Sequence, residues 1–274
     1  MSWKTITRSA IGTLHQTMNL PCQDYGGDRV LGEVVMGVVA DGAGSAKYAD
    51  VGATVAVTTA LDFLARTETW LQRQRHLSWQ AFGQRPSDQL AQNLFTKVVE
   101  QVVSVLQQTA DRNHWDIDDL ACTLLAFIAT PDWLAAMQIG DGFIVVRTPD
   151  QPYRLLFQPH KGEYANQTTF VTSTAALVDM QIQVLAEPAS FICAATDGLE
   201  KVAIRLSDWT AFPPFFQPLE EYMQETADPN QEDDYLVAFL ESDRLNQRTD
   251  DDKTVLLCLY DHSQAHVDES TIHN

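Results

Sequence analysis

Four aspartates stand at the ends of short apolar runs, and this placement limits what the chain can fold into more than any bulk property does. Asp41 closes the run Val34 to Ala40, Asp141 follows Leu134 to Gly140, Asp197 follows Phe191 to Thr196, and Asp251 stands just before Thr254 to Tyr260. Such runs, bounded by Asp and Gly, read as buried strands. Any one Asp-Gly pair is an ordinary turn signal. Several carboxylates delivered together by separate strand ends, with few Lys or Arg nearby, would repel one another unless cations stood between them.

Composition narrows the setting. The chain has 274 residues, 45% of them hydrophobic, and carries 37 acidic against 18 basic side chains for a formal net charge of -19. No Pro/Gly/Ser-rich linker divides it, so a single domain over 1-261 with a polar tail at 262-274 is expected. The acidic balance argues against nucleic-acid binding, which rests on Lys and Arg displacing counterions. Cys22, Cys122, Cys193 and Cys258 form no CxxC pair and read as reduced, mostly buried residues. With no signal-peptide core at the start and no apolar stretch of membrane-spanning length, a cytoplasmic protein without a membrane partner is expected, as a monomer.

The pattern along the chain predicts strands at Trp3 to Ser9 and Gly32 to Ala40 with a turn at Gly26-Gly27-Asp28 between them. A helix is predicted over Ala49 to Arg66, with Val51, Val55, Thr58 and Leu61 on one face. Trp70 to Pro86 reads as an irregular excursion. A long helix follows from Ser87 to Asn113, its buried stripe marked by Leu90, Leu94, Val98, Val102 and Leu106. Strands are predicted at Cys122 to Ala129, Trp133 to Ile139, Phe143 to Arg147, Tyr153 to Phe157, Ile182 to Leu185, Phe191 to Ala195 and Thr254 to Tyr260. Pro159 to Ser173 reads as a surface flap, and Pro218 to Leu245 as helical and acidic. These elements do not alternate as βαβ units, so the expected class is α+β, with mainly antiparallel sheets and helices packed outside them.

Oxygen ligands without clustered His or Cys favour Mg²⁺ or Mn²⁺ over zinc. Two such ions about 4 Å apart can lower the pKa of a shared water and neutralise a phosphoryl group during in-line displacement. That chemistry suits phosphate monoester hydrolysis.

At this point the chain resembles the metal-dependent protein serine/threonine phosphatases of type 2C, above all their bacterial branch. Gly12-Thr13-Leu14-His15 leading to Cys22-Gln23-Asp24 is similar to the first motif of that family, and Val38 to Ser45 to the second. Ala121-Cys122-Thr123 with Ile139-Gly140-Asp141-Gly142 resembles the central pair of motifs. Ala195 to Leu199 and Asp251-Asp252-Lys253-Thr254 resemble the closing two. The resemblance implies a four-layer αββα sandwich and a phosphorylated protein as substrate. It also implies that Asp41, Asp197 and Asp251 hold one metal and that Asp24, Asp41 and the Gly42 carbonyl hold a second. Asp141 with Asp197 would form a weaker third site. Asp250 and Asp252 are rivals to Asp251, which is preferred because the family places its ligand three residues before the Thr.

Some positions depart from the family. His15 stands where many members have an Arg that grips the phosphate, and Ala43 where some eukaryotic members have a proposed general acid. Gly142 replaces the usual Ser and Ser45 a second Gly, both tolerable changes. Two other readings compete. Gly42-Ala43-Gly44-Ser45-Ala46-Lys47 looks like a nucleotide loop but lacks the third glycine or the Gly-Lys-Ser/Thr that such loops need. A catalytically impaired relative acting as a binding or regulatory module would be marked by missing ligands, and here the expected aspartates are present.

Overall fold

The computed structural model describes residues 2–73, 85–158 and 168–261. Twelve strands are found there: β1 (Ser2–Ala10), β2 (Tyr25–Leu31), β3 (Val34–Ala40), β4 (Leu124–Ala129), β5 (Leu134–Ile139), β6 (Phe143–Arg147), β7 (Arg154–Leu155), β8 (Gln181–Leu185), β9 (Phe191–Ala195), β10 (Ile204–Arg205), β11 (Thr210–Ala211) and β12 (Lys253–Asp261). The helices are α1 (Thr13–Met18), α2 (Ala49–Arg73), α3 (Asp88–Asn113), α4 (Ala176–Asp179), α5 (Glu200–Ala203), α6 (Pro213–Glu225), α7 (Asp234–Leu240) and α8 (Asp243–Asn246).

Two five-stranded antiparallel sheets form the centre, one ordered β1-β12-β9-β6-β7 and the other β2-β3-β4-β5-β8, with β10-β11 as a separate small hairpin. Side-chain alternation along each strand makes the layers. On β3, Val34, Met36, Val38 and Ala40 pack toward α2 and α3, while Val35 and Val39 face the other sheet. On β12, Leu256, Cys258 and Tyr260 face inward, and Val255, Leu257 and Leu259 meet the Phe215, Phe216 and Leu219 face of α6. Three apolar interfaces therefore separate four layers, the αββα sandwich expected.

The register brings several strand ends to one edge. β3 and β5 both run antiparallel to β4, so their carboxyl ends lie on the same side. In the facing sheet, Ala195 at the end of β9 pairs with both Val255 near the start of β12 and Phe143 at the start of β6.

The structure corrects several sequence expectations. Gly26-Gly27-Asp28 is not a turn but the first half of β2. Its glycines serve close approach: a Cβ on Gly26 would lie 2.7 Å from Thr7 Cγ2, and one on Gly27 2.9 Å from Leu61 Cδ1. Helix α2 continues past Arg66 to Arg73, so Trp70 to Arg73 are helical, and residues 74–84 lie outside the described ones. The buried face of α2 includes Ala53, Ala56, Val57, Ala60, Leu61 and Leu64, whose alanines let the helix lie close on the sheet; of the expected face Leu61 is buried, Val51 and Val55 are half-buried and Thr58 is exposed. Leu90 is exposed too, because it sits in the first turn of α3, where Ser87 caps its amide and packing begins only at Ala91. The Tyr153 to Phe157 strand shortens to Arg154–Leu155. The acidic helical stretch splits into α6, α7 and α8: Pro213 and Pro214 start the first, it ends at Glu225, and Ser242 caps the last. Most of the Pro159 to Ser173 flap and the 262–274 tail fall outside the described residues.

Candidate metal centre

Each proposed ligand is delivered by a strand end. Asp41 follows β3 and is locked to the entry of β4: its amide donates to Thr123 Oγ1 at 2.9 Å, and its carbonyl accepts from the Thr123 amide at 2.8 Å. The next amide, Gly42, donates to the Gln23 carbonyl at 3.1 Å, and Ala43 donates to the Ala121 carbonyl at 2.9 Å. Asp41 and Ala43 thus make the bridge to β4 and leave the Gly42 carbonyl outside it. A Cβ on Gly42 would fall 2.7 Å from the Ala49 carbonyl oxygen, so the loop must turn here without a side chain.

Asp197 opens a 3-10 turn, Asp197–Leu199, directly after β9. Asp141 lies between Gly140 (φ +89°) and Gly142 (φ +93°) in a left-handed turn linking β5 to β6. Gly142 is thereby more than tolerated: a serine would carry its Cβ into that φ and 2.7 Å from the Ala195 carbonyl oxygen. The Thr168 hydroxyl donates to Asp141 Oδ2 at 2.7 Å. Asp24 lies in the loop before β2, 5% exposed, and accepts from the Thr196 hydroxyl at 2.6 Å.

These pieces converge. Carboxylate oxygens of Asp41, Asp141 and Asp197 all lie within 4.8 Å of one another. The Asp41 carboxyl is also within hydrogen-bonding reach of both Asp24 and Asp197. Burial, with the neighbouring carboxylates of Asp24, Asp197 and Asp251, raises the Asp41 carboxyl far above the usual carboxylate range. Asp24 is raised by burial and by Asp252, against the opposing hydrogen bond from Thr196. Asp197 is raised to about 6 by burial, then by Asp141 and Asp251. A protein that gathers carboxyls so tightly protonates them or fills the space between with cations.

The structure separates the three aspartates before β12. Asp252 is 2% exposed and its carboxylate is occupied: Oδ1 accepts from the Gly12 amide at 2.6 Å, and Oδ2 from the Gln23 amide at 2.6 Å and from His15 Nδ1 at 2.8 Å. Asp250 contributes its backbone carbonyl to Leu14. Asp251 is far more open to solvent than Asp252 and acts electrostatically on Asp41 and Asp197; partial desolvation of its carboxyl raises it, countered by the hydrogen bond from the Asp252 amide. Two glycines let the segment through: a Cβ on Gly12 would sit 2.3 Å from the Asp251 carbonyl carbon, and one on Gly198 1.9 Å from the Asp252 oxygen. His15 itself is half-buried on α1.

Glu200 escaped the sequence reading, and Lys253 and Gln23 entered it only as parts of motifs. Glu200, one turn past Asp197, is raised to about 7 by burial and by Asp197 and Asp141. Nothing in its helical context marked it. Lys253 is fully buried, and its Nζ donates to Asn246 Oδ1 at 2.8 Å. Gln23 Oε1 is buried beside Asp24 without a hydrogen-bond partner among the described residues. The all-carboxylate set of Asp41, Asp141 and Asp197 fits a hard divalent ion, which prefers oxygen ligands. No such set of His or Cys is found among the described residues.

A fold with two antiparallel sheets between helices is shared with known proteins. Residues 11–241 match the protein phosphatase 2C family, and the chain belongs to it. The chain is 33% identical over 269 residues to serine/threonine-protein phosphatase 3 of Escherichia coli (strain K12), covering 95% of this chain and 99% of that one. Two solved structures share the fold: the serine/threonine phosphatase of S. agalactiae (TM-score 0.61, 14% identity, 94% of this chain and 100% of that one) and serine/threonine phosphatase Stp1 from Staphylococcus aureus (TM-score 0.60, 12% identity, 94% of each chain).

Proposed function

We propose that the chain is a metal-dependent phosphatase acting on phosphoserine and phosphothreonine in proteins, with two Mg²⁺ or Mn²⁺ ions at the acidic edge and a weaker third. The observation that carries this is the position of Asp41, whose carboxyl is in reach of both Asp24 and Asp197 and forms a close set with Asp141. Asp41, Asp197 and Asp251 would hold one ion. Asp24, Asp41 and the Gly42 carbonyl would hold the second, and Asp141 with Asp197 the third. When bound, such ions supply positive charge against the phosphoryl oxygens and acidify water for attack on phosphorus.

The chain's own part is to hold carboxylates in place and keep the phosphate oriented. Thr123 fixes Asp41 from both its amide and its carbonyl, and Thr196 fixes Asp24. Asp252 holds His15 through Nδ1, which leaves Nε2 as the uncommitted ring nitrogen among the described contacts. A single imidazole nitrogen gives one hydrogen bond to a phosphate where a guanidinium gives two, so phosphate affinity is lower than with Arg. A net charge of -19 and four unpaired cysteines support a monomeric cytoplasmic enzyme that does not bind nucleic acid. The reading as an impaired binding module has His15 alone in its favour.

The test is hydrolysis of phosphoserine and phosphothreonine peptides with Mn²⁺ or Mg²⁺, with and without chelator. Metal-dependent release of phosphate is expected; a folded protein inactive with both ions would sink the assignment.

A further inference from the structure

We propose that Gln138 is a positioning residue for the Asp141 carboxylate and through it sets how tightly the centre holds its divalent ions; the inference rests on the phosphatase reading above. Gln138 is the last but one residue of β5 and is 6% exposed. From there its Nε2 donates to the Gly140 carbonyl at 3.0 Å and to the Gly142 carbonyl at 3.3 Å, the residues on either side of Asp141.

That turn has little of its own to keep it still. Both flanking residues are glycines at φ +89° and +93°, conformations that glycine enters and leaves freely. A single side-chain amide spans them. Its orientation follows from chemistry, because the reversed amide would set Oε1 against two carbonyl oxygens. Oε1 has no hydrogen-bond partner among the described residues, so the two bonds to the turn are what offset the burial of this polar group.

The other sides of the turn are walled. A Cβ on Gly140 would meet Thr123 Cγ2 at 2.6 Å, and one on Gly142 would meet the Ala195 oxygen at 2.7 Å. Thr123 is the residue that fixes Asp41, and Ala195 lies two residues before Asp197. The clamp on the turn therefore sets Asp141 against the two carboxylates with which it forms the close group. Groups that orient a metal ligand without touching the metal typically matter about 10- to 100-fold in metal affinity.

Gln138→Met keeps the length of the side chain and removes both donors. Mn²⁺ binding is measured by isothermal titration calorimetry on wild type, Gln138→Met, Asp141→Asn and the double variant. The expected result is an affinity about 10-fold weaker in Gln138→Met at the weakest site seen in wild type, and no further loss when the substitution is added to Asp141→Asn. Gln138→Asn, one methylene short of the carbonyls, behaves the same way and replaces Gln138→Met if that protein does not fold. Unchanged Mn²⁺ affinity, or an equal loss in both backgrounds, overturns the proposal. Peptide hydrolysis is assayed separately on wild type, and its absence would count against the phosphatase reading while the calorimetry still decides the role of Gln138.

Discussion

His15 Nδ1 and Asp252 Oδ2 lie 2.8 Å apart, so the histidine proposed to meet the phosphate is tied to a carboxylate that also accepts the Gly12 and Gln23 amides. Asp252 thereby joins three parts of the chain: the turn into α1, α1 itself and the loop that carries Asp24. Asp252→Ala strands two backbone amides, each costing about 1–3 kcal/mol when left unsatisfied. A fall in melting temperature of roughly 5–15 °C is expected by calorimetry in chelator. His15→Ala, which removes a side chain but strands no backbone amide, should cost much less stability and weaken phosphate inhibition.

Asp41→Asn should abolish hydrolysis and yet stabilise the metal-free protein at alkaline pH. The Asp41 carboxyl is raised in the folded state, so the folded chain binds a proton that the unfolded chain, with a pKa near 4, has lost. Stability from this group is full below about pH 4 and is lost as pH rises toward the folded value. In chelator at pH 8 the variant should melt at least about 2–4 °C above wild type, the equivalent of ~1 kcal/mol for a domain of this size. The gap should close toward pH 5, and added Mn²⁺ should reverse it. A variant that melts below wild type in chelator at pH 8 would contradict this account.

The two glycines after Asp41 should behave in opposite ways. Nothing lies within 4 Å of a Cβ on Gly44, whereas one on Gly42 would be 2.7 Å from the Ala49 carbonyl oxygen. Gly44→Ala should keep wild-type turnover. Gly42→Ala must displace either the carbonyl proposed for the second metal or the start of α2, and a loss of at least about 100-fold in kcat/KM, ~2.7 kcal/mol, is expected. Equal turnover in the two variants would show that the loop adjusts more freely than its contacts indicate.

Far from the metal centre, Arg147 Nε lies 2.7 Å from Glu220 Oε2, which also accepts from the Tyr153 hydroxyl at 2.6 Å. Glu220 is 4% exposed, so Arg147→Met leaves a buried charge without its partner. A loss of about 3–5 kcal/mol in urea unfolding is expected, with hydrolysis per folded molecule unchanged.

The apolar runs and their aspartates were legible because burial on both faces of a strand leaves an unbroken signal: β3, β5, β9 and β12 lie close to where their patterns placed them. Gly26-Gly27 misled because glycine speaks for a turn locally, and only the approach of β1 and α2, distant in sequence, explains it in a strand. The stripe on α2 was misread in part for a related reason: Leu61 is buried as expected, but Ala53, Ala56 and Ala60, which carry little hydrophobic signal, share the buried face, while the larger Val51 and Val55 are only half-covered. At the metal centre, the order of the aspartates was visible, and the choice between Asp251 and Asp252 was not. That distinction depends on which carboxylate the Gly12 and Gln23 amides reach, a contact across more than two hundred residues. Gln138 gave no sign at all, since a lone glutamine in an apolar strand has no pattern.

The pairing of β1 with β12 over nine residue pairs, Ser2 with Asp261 through Ala10 with Lys253, has a consequence for the timing of activity. Strand β12 separates β1 from β9 in its sheet, and Asp251 and Asp252 immediately precede it. Until Asp251, Asp252 and β12 leave the ribosome, β1 has no neighbour in its sheet, Asp252 cannot gather Gly12 and Gln23, and the acidic edge lacks Asp251. A chain translated only as far as β9 therefore has no assembled centre, and dephosphorylation waits until β12 has been made and has paired with β1.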